Sequence, residues 1–380
     1  MKRKSANETA YLSKFPFEPN KRGFSKDVTN ICKGLAVALL LCHHAFTGSS
    51  EFLSTMVPDI IAGVNITDSV GIFGKICVAI FLTLSGYGLY RKYSSDVRWE
   101  QASGAFICNS LIKLLVIYQF IYILALPINV ALGRSIMVIY GDKVPLVNAV
   151  VDFFGLSYLF QFLKLNPTMW YMSLAIVSVL LFPFLKKQTD HYGVVPLVLF
   201  AWLSHALASD ELIRDFGAFL AGILIARYNL FEKIRAYRPF GMAEGNNSLL
   251  GGGGLTLKFL GMTVILVLTV QLRMIVATVD YLIAPFLICW LYCYVAPIPG
   301  IRHILAYLGR HSGNIFMTHS YFLLLCPQLV YWNKTPVLIF ATLLAMSLAA
   351  SYLVKWLFRL FRVDHLQKYL LERWGSIQQN

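Results

Sequence analysis

The chain has 380 residues, of which 57% are hydrophobic and only 14% are charged, and its formal net charge is +14. A soluble domain carries roughly a quarter charged residues, so this composition argues against a soluble protein and indicates one that lies in a lipid bilayer. The lysines and arginines flank apolar runs instead of forming one patch. This distribution is typical of residues that fix membrane orientation, and it argues against a nucleic-acid partner.

Residues 1–30 form a basic tail, which we predict to be cytoplasmic and to lie on anionic headgroups. The first apolar run follows this tail and contains Lys33, His43 and His44, which is unlike a cleaved signal peptide. All seven cysteines lie within or beside apolar runs. We therefore expect small core residues and neither a disulfide framework nor a metal site.

Ten apolar runs are predicted to be transmembrane helices, because about 18 to 20 apolar residues suffice to cross ~30 Å of hydrocarbon. They lie near residues 31–49, 70–90, 104–126, 168–185, 193–208, 213–228, 255–272, 279–297, 314–331 and 336–357. The expected fold class is an all-α polytopic membrane protein. Its expected parts are the tail at 1–30, the transmembrane domain at 31–360 and a cytoplasmic C-terminal tail at 361–380.

Lysine and arginine counts predict the orientation of these spans. With the N-terminus inside, the inner segments hold most of the 33 basic residues. The outer segments hold only Arg134, Lys143, Lys164, Arg214, Arg273 and Lys334. This bias predicts that both termini are cytoplasmic and that the number of spans is even.

Two connecting segments are longer than the rest. Residues 133–167 form a long outer segment in which an amphipathic stretch from Pro145 to Leu165 is expected to lie in the interface or to dip into the membrane. Residues 229–254 form an inner segment that ends in four glycines. Because no Lys-Ser/Thr pair follows them, they indicate a flexible linker and not a phosphate-binding loop.

The first span carries a stripe of ionisable residues, and an ionisable group inside a membrane needs a partner, a water-filled cavity or a function. Lys33 and His44 are eleven positions apart, so they share a helix face and lie about 16 Å from each other. Glu51 continues the stripe if the helix persists, whereas His43 points about 100° away. Taken singly, His44 is as well explained by a bond to a neighbouring carbonyl, and Lys33 by snorkelling. The whole stripe favours a polar cavity.

Other polar residues suggest a binding role less strongly. Ser85 precedes Gly86, for which close helix packing is the simpler explanation. Arg91 and Lys92 end the second span as expected of topology anchors, and Trp170 with Tyr171 is typical of an aromatic belt. Lys113 lies deeper in its span than an anchor, and His319 lies early in the predicted ninth span.

Five motifs occur in the order found in a known family. They are residues 30–36 (NICKGLA) followed by His44, residues 81–87 (FLTLSGY), the segment Phe106 to Tyr118, the segment from Trp170 to Pro183, and residues 308–319, which end in His319. Over nearly its whole length the chain resembles the acyltransferase family 3 membrane proteins, which O-acylate cell-envelope glycans. It departs from that pattern at four positions. Many members have arginine where this chain has Lys33, Asn109 and Ser110, and aspartate where it has Ala79.

The resemblance implies an enzyme of the bacterial cytoplasmic membrane that transfers an acyl group, usually acetyl, from cytoplasmic acyl-coenzyme A to an outer glycan hydroxyl. Acyl-coenzyme A is then a co-substrate, and no further cofactor is expected. The candidate catalytic residues are His44, Lys33 and Glu51, with His44 as the general base. The candidate substrate-binding residues are Lys113, Arg91, Lys92, Ser85, Trp170, Tyr171 and His319.

Two alternatives stay open at this stage. A transporter would use the same polar stripe as a translocation path and would need no acyl donor, although the chain lacks paired Gly/Pro-interrupted helices in two halves. A scaffold for glycan export would leave the ionisable stripe unexplained. No recognisable motif identifies the glycan, the acyl chain or the oligomeric state. The motifs also do not distinguish direct transfer from transfer through a covalent intermediate.

Overall fold

The computed structural model describes residues 23–47, 50–54, 56–57, 59–61, 64–162, 164–206, 211–237, 239, 253–275 and 279–376. Most of the predicted basic tail and part of the predicted glycine linker therefore lie outside the described residues. The described chain is nearly all helical, which confirms the all-α class. Two short antiparallel strands, β1 (Ile60–Ile61) and β2 (Val64–Asn65), are also present.

The helices follow one another in the order α1 (Lys26–Phe46), α2 (Ser50–Leu53), α3 (Ile66–Gly74), α4 (Cys77–Tyr93), α5 (Arg98–Gln101), α6 (Ser103–Ala131), α7 (Ile136–Tyr140), α8 (Pro145–Phe153), α9 (Trp170–Tyr192), α10 (Val195–Ala206), α11 (Glu211–Tyr228), α12 (Leu230–Ala236), α13 (Gly253–Ile275), α14 (Asp280–Trp290), α15 (Pro299–Leu325), α16 (Pro327–Val330), α17 (Pro336–Leu360) and α18 (Val363–Trp374). A 3₁₀ turn, Pro167–Met169, precedes α9, and a π-helical turn, Leu291–Val295, extends α14.

A helix lies at each of the ten predicted span positions. Within the described ranges, five helical stretches are long and apolar enough to cross a membrane, namely Lys26–Phe46, Ile66–Tyr93, Ser103–Ala131, Pro167–Tyr192 and Pro336–Leu360. Their length and composition support a membrane protein. The count of ten spans and the cytoplasmic placement of the termini stay predictions.

One predicted boundary is wrong, and the structure adds detail to two predicted segments. The ninth helix begins at Pro299 and not near residue 314, so His319 lies near the end of α15 and not near its start. The amphipathic stretch that begins at Pro145 is helical only as far as Phe153. The segment predicted as a C-terminal tail contains helix α18, which packs against α6.

Glycines hold two pairs of helices at very short distances. A methyl group on Gly34 of α1 would overlap the carbonyl oxygen of Leu305 in α15, and one on Gly309 would overlap that of Asn30. Gly86 of α4 faces the carbonyl oxygen of Phe219 in α11 in the same way. The packing role expected for Gly86 is therefore confirmed. Small residues at such contacts let backbones approach, which stabilises helix association in membranes.

Helices α1 and α15 run in the same direction. Asp27, near the start of α1, lies 3.4 Å from Arg302 near the start of α15. His44 and His319, near the ends of the same helices, have ring centroids 5.0 Å apart. The two histidines therefore lie at the same end of this helix pair.

A buried carboxylate organises the segment between α6 and α9. Asp152 in α8 accepts hydrogen bonds from the Leu165 amide at 2.7 Å and from the hydroxyls of Tyr140 and Ser157 at 3.0 Å each. Burial raises the pKa of Asp152, while these hydrogen bonds oppose the rise. The Tyr118 hydroxyl of α6 donates to the Asp152 carbonyl at 2.7 Å. This network fixes the segment that enters α9.

Candidate active site

A cavity of about 490 Å³ lies between α1, α4, α6, α9 and α11. Lys33, Lys92 and Lys113 line it together with Ser85 and Ser110, and we call it the lysine cavity. Ligand sites are typically several hundred cubic ångströms in volume, so this one has room for part of a cofactor-sized molecule. The structure thus brings together three of the predicted basic residues and Ser85.

Among the residues that the structure describes, acidic side chains do not neutralise the charges of these lysines. No ion pair within the described ranges involves Lys33, Lys92 or Lys113. Three cations around one cavity attract an anionic ligand and repel each other in its absence. A phosphate-bearing molecule matches this arrangement.

A second, smaller cavity of about 80 Å³ lies at the other end of the stripe. Its polar lining comes from His43, His44, Lys75, Thr168 and the Trp170–Tyr171 pair, and we call it the histidine cavity. Tyr171 lines both cavities. The prediction of one polar cavity along the whole stripe is therefore wrong, because Lys33 and His44 face two cavities with Tyr171 in common.

The neighbouring histidines have different surroundings. The His43 Nδ1 lies 2.8 Å from the carbonyl oxygen of Gly71 in α3, to which it donates a hydrogen bond. The His44 ring has no hydrogen-bond partner among the residues that the structure describes. Both histidines line the histidine cavity, but His43 also joins two helices, whereas the His44 ring is not held by a hydrogen bond within the described residues.

His319 is completely buried, and its surroundings fix its tautomer. Its Nδ1 lies 3.1 Å from the carbonyl oxygen of Ile315 and 2.9 Å from that of Phe316. Both are acceptors, so Nδ1 carries the proton and Nε2 of the neutral ring carries the lone pair. That Nε2 has no partner within the described part of the chain. It is therefore suited to accept a hydrogen bond from His44 or from a substrate hydroxyl.

The start of α9 is attached directly to α15. Asn166 Nδ2 donates to the Ser320 hydroxyl at 2.6 Å, and the Thr168 hydroxyl lies 3.1 Å from the same oxygen. Trp170 and Tyr171 follow immediately and line the histidine cavity. The sequence alone did not predict a role for Asn166, Thr168 or Ser320, because these common polar residues form no recognisable motif in a single sequence.

Two predicted site residues lie elsewhere. Helix α1 ends at Phe46, so the expected continuation of its face to Glu51 is wrong, and Glu51 lies exposed in the separate helix α2. Arg91 is exposed and donates to Asn229 Oδ1 at 2.9 Å, and it is absent from the lining of the lysine cavity. Their catalytic and binding roles stay predictions without geometric support.

Comparison with known proteins identifies the family of the chain. A family model described as an acyltransferase domain matches residues 29–356, which include both cavities and nearly the whole chain. No curated protein and no solved structure matches the chain. The chain therefore belongs to this acyltransferase family and is a membrane acyltransferase.

Proposed function

We propose that this acyltransferase moves an acyl group, expected to be acetyl, from cytoplasmic acyl-coenzyme A to a hydroxyl of an extracytoplasmic glycan. The observation that carries the proposal is the meeting of two unlike cavities at Tyr171. One is lined by lysines and has the size of a ligand site, and the other is small and lined by histidines. A donor and an acceptor that approach from opposite sides need such a pair of cavities.

The lysine cavity is suited to the donor. Coenzyme A carries several phosphate groups, which Lys33, Lys92 and Lys113 are placed to bind with charge-assisted hydrogen bonds. Lysine acts as a point charge and lacks the bidentate fork of arginine. This site therefore selects the donor by charge more than by planar geometry.

The histidine cavity is suited to the reacting groups. A sugar hydroxyl is a weak nucleophile at neutral pH, and an imidazole within reach can remove its proton as it attacks the thioester carbonyl. His44 accepts that proton, and the new C–O bond forms. The C–S bond then breaks, and His44 returns the proton to the departing coenzyme A sulfur. In the reacting complex we expect neutral His319 to accept a hydrogen bond from the His44 N–H at its Nε2, which has no partner within the described residues. The other His44 nitrogen is then free to act as base.

The volume of the histidine cavity supports a short acyl chain. At about 80 Å³ the histidine cavity is much smaller than the lysine cavity of about 490 Å³, so it is suited to a small group. A two-carbon acyl group fits such a space, whereas a long fatty acyl chain does not. The glycan ring is expected to stay outside and to present one hydroxyl.

The proposal is tested with purified wild-type protein in liposomes. Radiolabelled acetyl-coenzyme A and palmitoyl-coenzyme A are supplied separately with a mixture of cell-envelope glycans, and transfer of label to glycan is measured. We expect transfer from acetyl-coenzyme A alone. Transfer from palmitoyl-coenzyme A only, or label that reaches lipid and no glycan, would refute the proposed donor or acceptor.

A further inference from the structure

Lys92 is the lysine of the lysine cavity that is held most firmly. Its Nζ donates to Asn109 Oδ1 at 2.5 Å. It also lies 4.8 Å from the ring centroid of Phe106 and 5.4 Å from that of Trp99. A carboxamide and two ring faces hold an ammonium group in place while leaving its charge available for an anion.

Asn109 connects this lysine to the C-terminal helix. While its Oδ1 accepts from Lys92, its Nδ2 donates to the Gly375 carbonyl oxygen at 2.7 Å. The two ends of the carboxamide have opposite hydrogen-bonding character, so this pair of partners fixes its orientation. Asn109 thus links Lys92 to Gly375, which lies 266 residues beyond Asn109 in sequence.

The contact at Gly375 depends on the absence of a side chain. A Cβ atom there would lie 2.9 Å from Asn109 Cα and 3.2 Å from Asn109 Cβ. Gly375 is buried although α18, which it ends, has no buried residue. The end of α18 is therefore fitted to α6 at the position of Asn109.

We propose that α18 is a positioning element for donor binding, in which Gly375 holds Asn109 and Asn109 holds Lys92 towards the donor phosphates. This inference rests on the proposed function, because it assumes that the lysine cavity binds acyl-coenzyme A. Asn109 is a positioning residue and does not itself touch the donor. Detachment of α18 from α6 then weakens donor binding without altering the reacting groups.

The test compares donor kinetics of purified full-length variants. Asn109→Ala is expected to raise the donor KM about 10- to 100-fold, the usual range for a lost hydrogen bond to a charged group, with kcat within about twofold of wild type. Gly375→Ala, which displaces Asn109, is expected to raise the donor KM as well, with a similarly small effect on kcat. Gly104→Ala is the matched control, since a Cβ at this position of α6 meets nothing within 4 Å. Asn109→Leu, which keeps the branched shape and the number of non-hydrogen atoms, replaces Asn109→Ala if the latter does not fold.

A double-mutant cycle with Lys92→Ala separates positioning from general stability. If Asn109 acts through Lys92, Asn109→Ala adds less than about twofold to the donor KM in the Lys92→Ala background. Full additivity, or an unchanged KM in Asn109→Ala and Gly375→Ala, would overturn the inference while leaving the proposed function intact. A wild-type protein that shows no saturable dependence on acyl-coenzyme A would instead refute the proposed function.

Discussion

At the scale of single residues, His43 and His44 show how adjacent side chains acquire different chemistry. Successive residues on a helix differ by about 100° in direction. His43 consequently meets the Gly71 carbonyl oxygen of α3, while His44 faces the histidine cavity. Helical geometry predicted that the two rings differ in direction, and the preference for His44 as the base stays a prediction, because both histidines line the cavity. The fixed tautomer of His319 was not, because it depends on the backbone path of α15.

Lys113 tests the donor-binding role of the lysine cavity. Lys113→Ala removes a ground-state interaction with a phosphate, so the donor KM is expected to rise about tenfold while kcat at saturating donor changes little. Initial rates at varied acetyl-coenzyme A concentration measure both constants. Equal loss in kcat and kcat/KM, or no loss, would contradict this role. Lys33→Arg is the companion variant, and retained activity there would show that a positive charge suffices.

His319 tests the support given to the base. His319→Phe keeps a buried aromatic ring but removes the Nε2 acceptor, so His44 loses its orientation and kcat is expected to fall about 10- to 100-fold. The donor KM is expected to stay near the wild-type value, because the ring does not line the lysine cavity. A variant with normal kcat would show that His319 only fills space.

At the scale of helices, the glycine contact between α1 and α15 holds the two histidines together. Gly309 and Gly313 lie one turn apart on α15, and only Gly309 faces a neighbouring backbone. Gly309→Ala is expected to lower the free energy of unfolding by about 1 to 3 kcal/mol through overpacking. Gly313→Ala, whose Cβ meets nothing within 4 Å, is expected to be neutral. Thermal unfolding in detergent measures both, and equal melting temperatures would contradict this account of the interface.

The sequence predicts the positions of the helices more accurately than it predicts the residues at which they begin and end. Ten apolar runs mark ten helices because a bilayer demands long apolar segments. The start of α15 was missed because Arg302, His303, Arg310 and His311 lower its hydropathy, although His311 is buried against Ser351. Helix α18 was missed because its attachment at Gly375 is a tertiary contact with α6. The lysine cavity depends on five helices at once, so a single sequence could not predict it.

At the scale of the whole molecule, the proposed reaction requires that the two cavities open to opposite sides of the membrane. Reporter fusions after Lys187, at Gly251 and at the C-terminus are expected to report the cytoplasm. Fusions near Asp142, Ser209 and Lys334 are expected to report the outer side, as the distribution of basic residues implies. A C-terminal fusion that reports the outer side would contradict the ten-span arrangement.

The most direct test of the central claim is the specific acylation activity of His44→Ala beside that of His43→Ala. A general base contributes typically 10²- to 10⁴-fold to the chemical step, so His44→Ala is expected to abolish detectable transfer from acetyl-coenzyme A at a normal level of folded protein. His43→Ala is expected to keep most of its activity per folded molecule, and the wild-type rate is expected to fall at acidic pH, because a protonated imidazole accepts no proton. Equal damage from the two substitutions, or a His44→Ala protein that acylates at the normal specific rate, would contradict the assignment of His44 as the base.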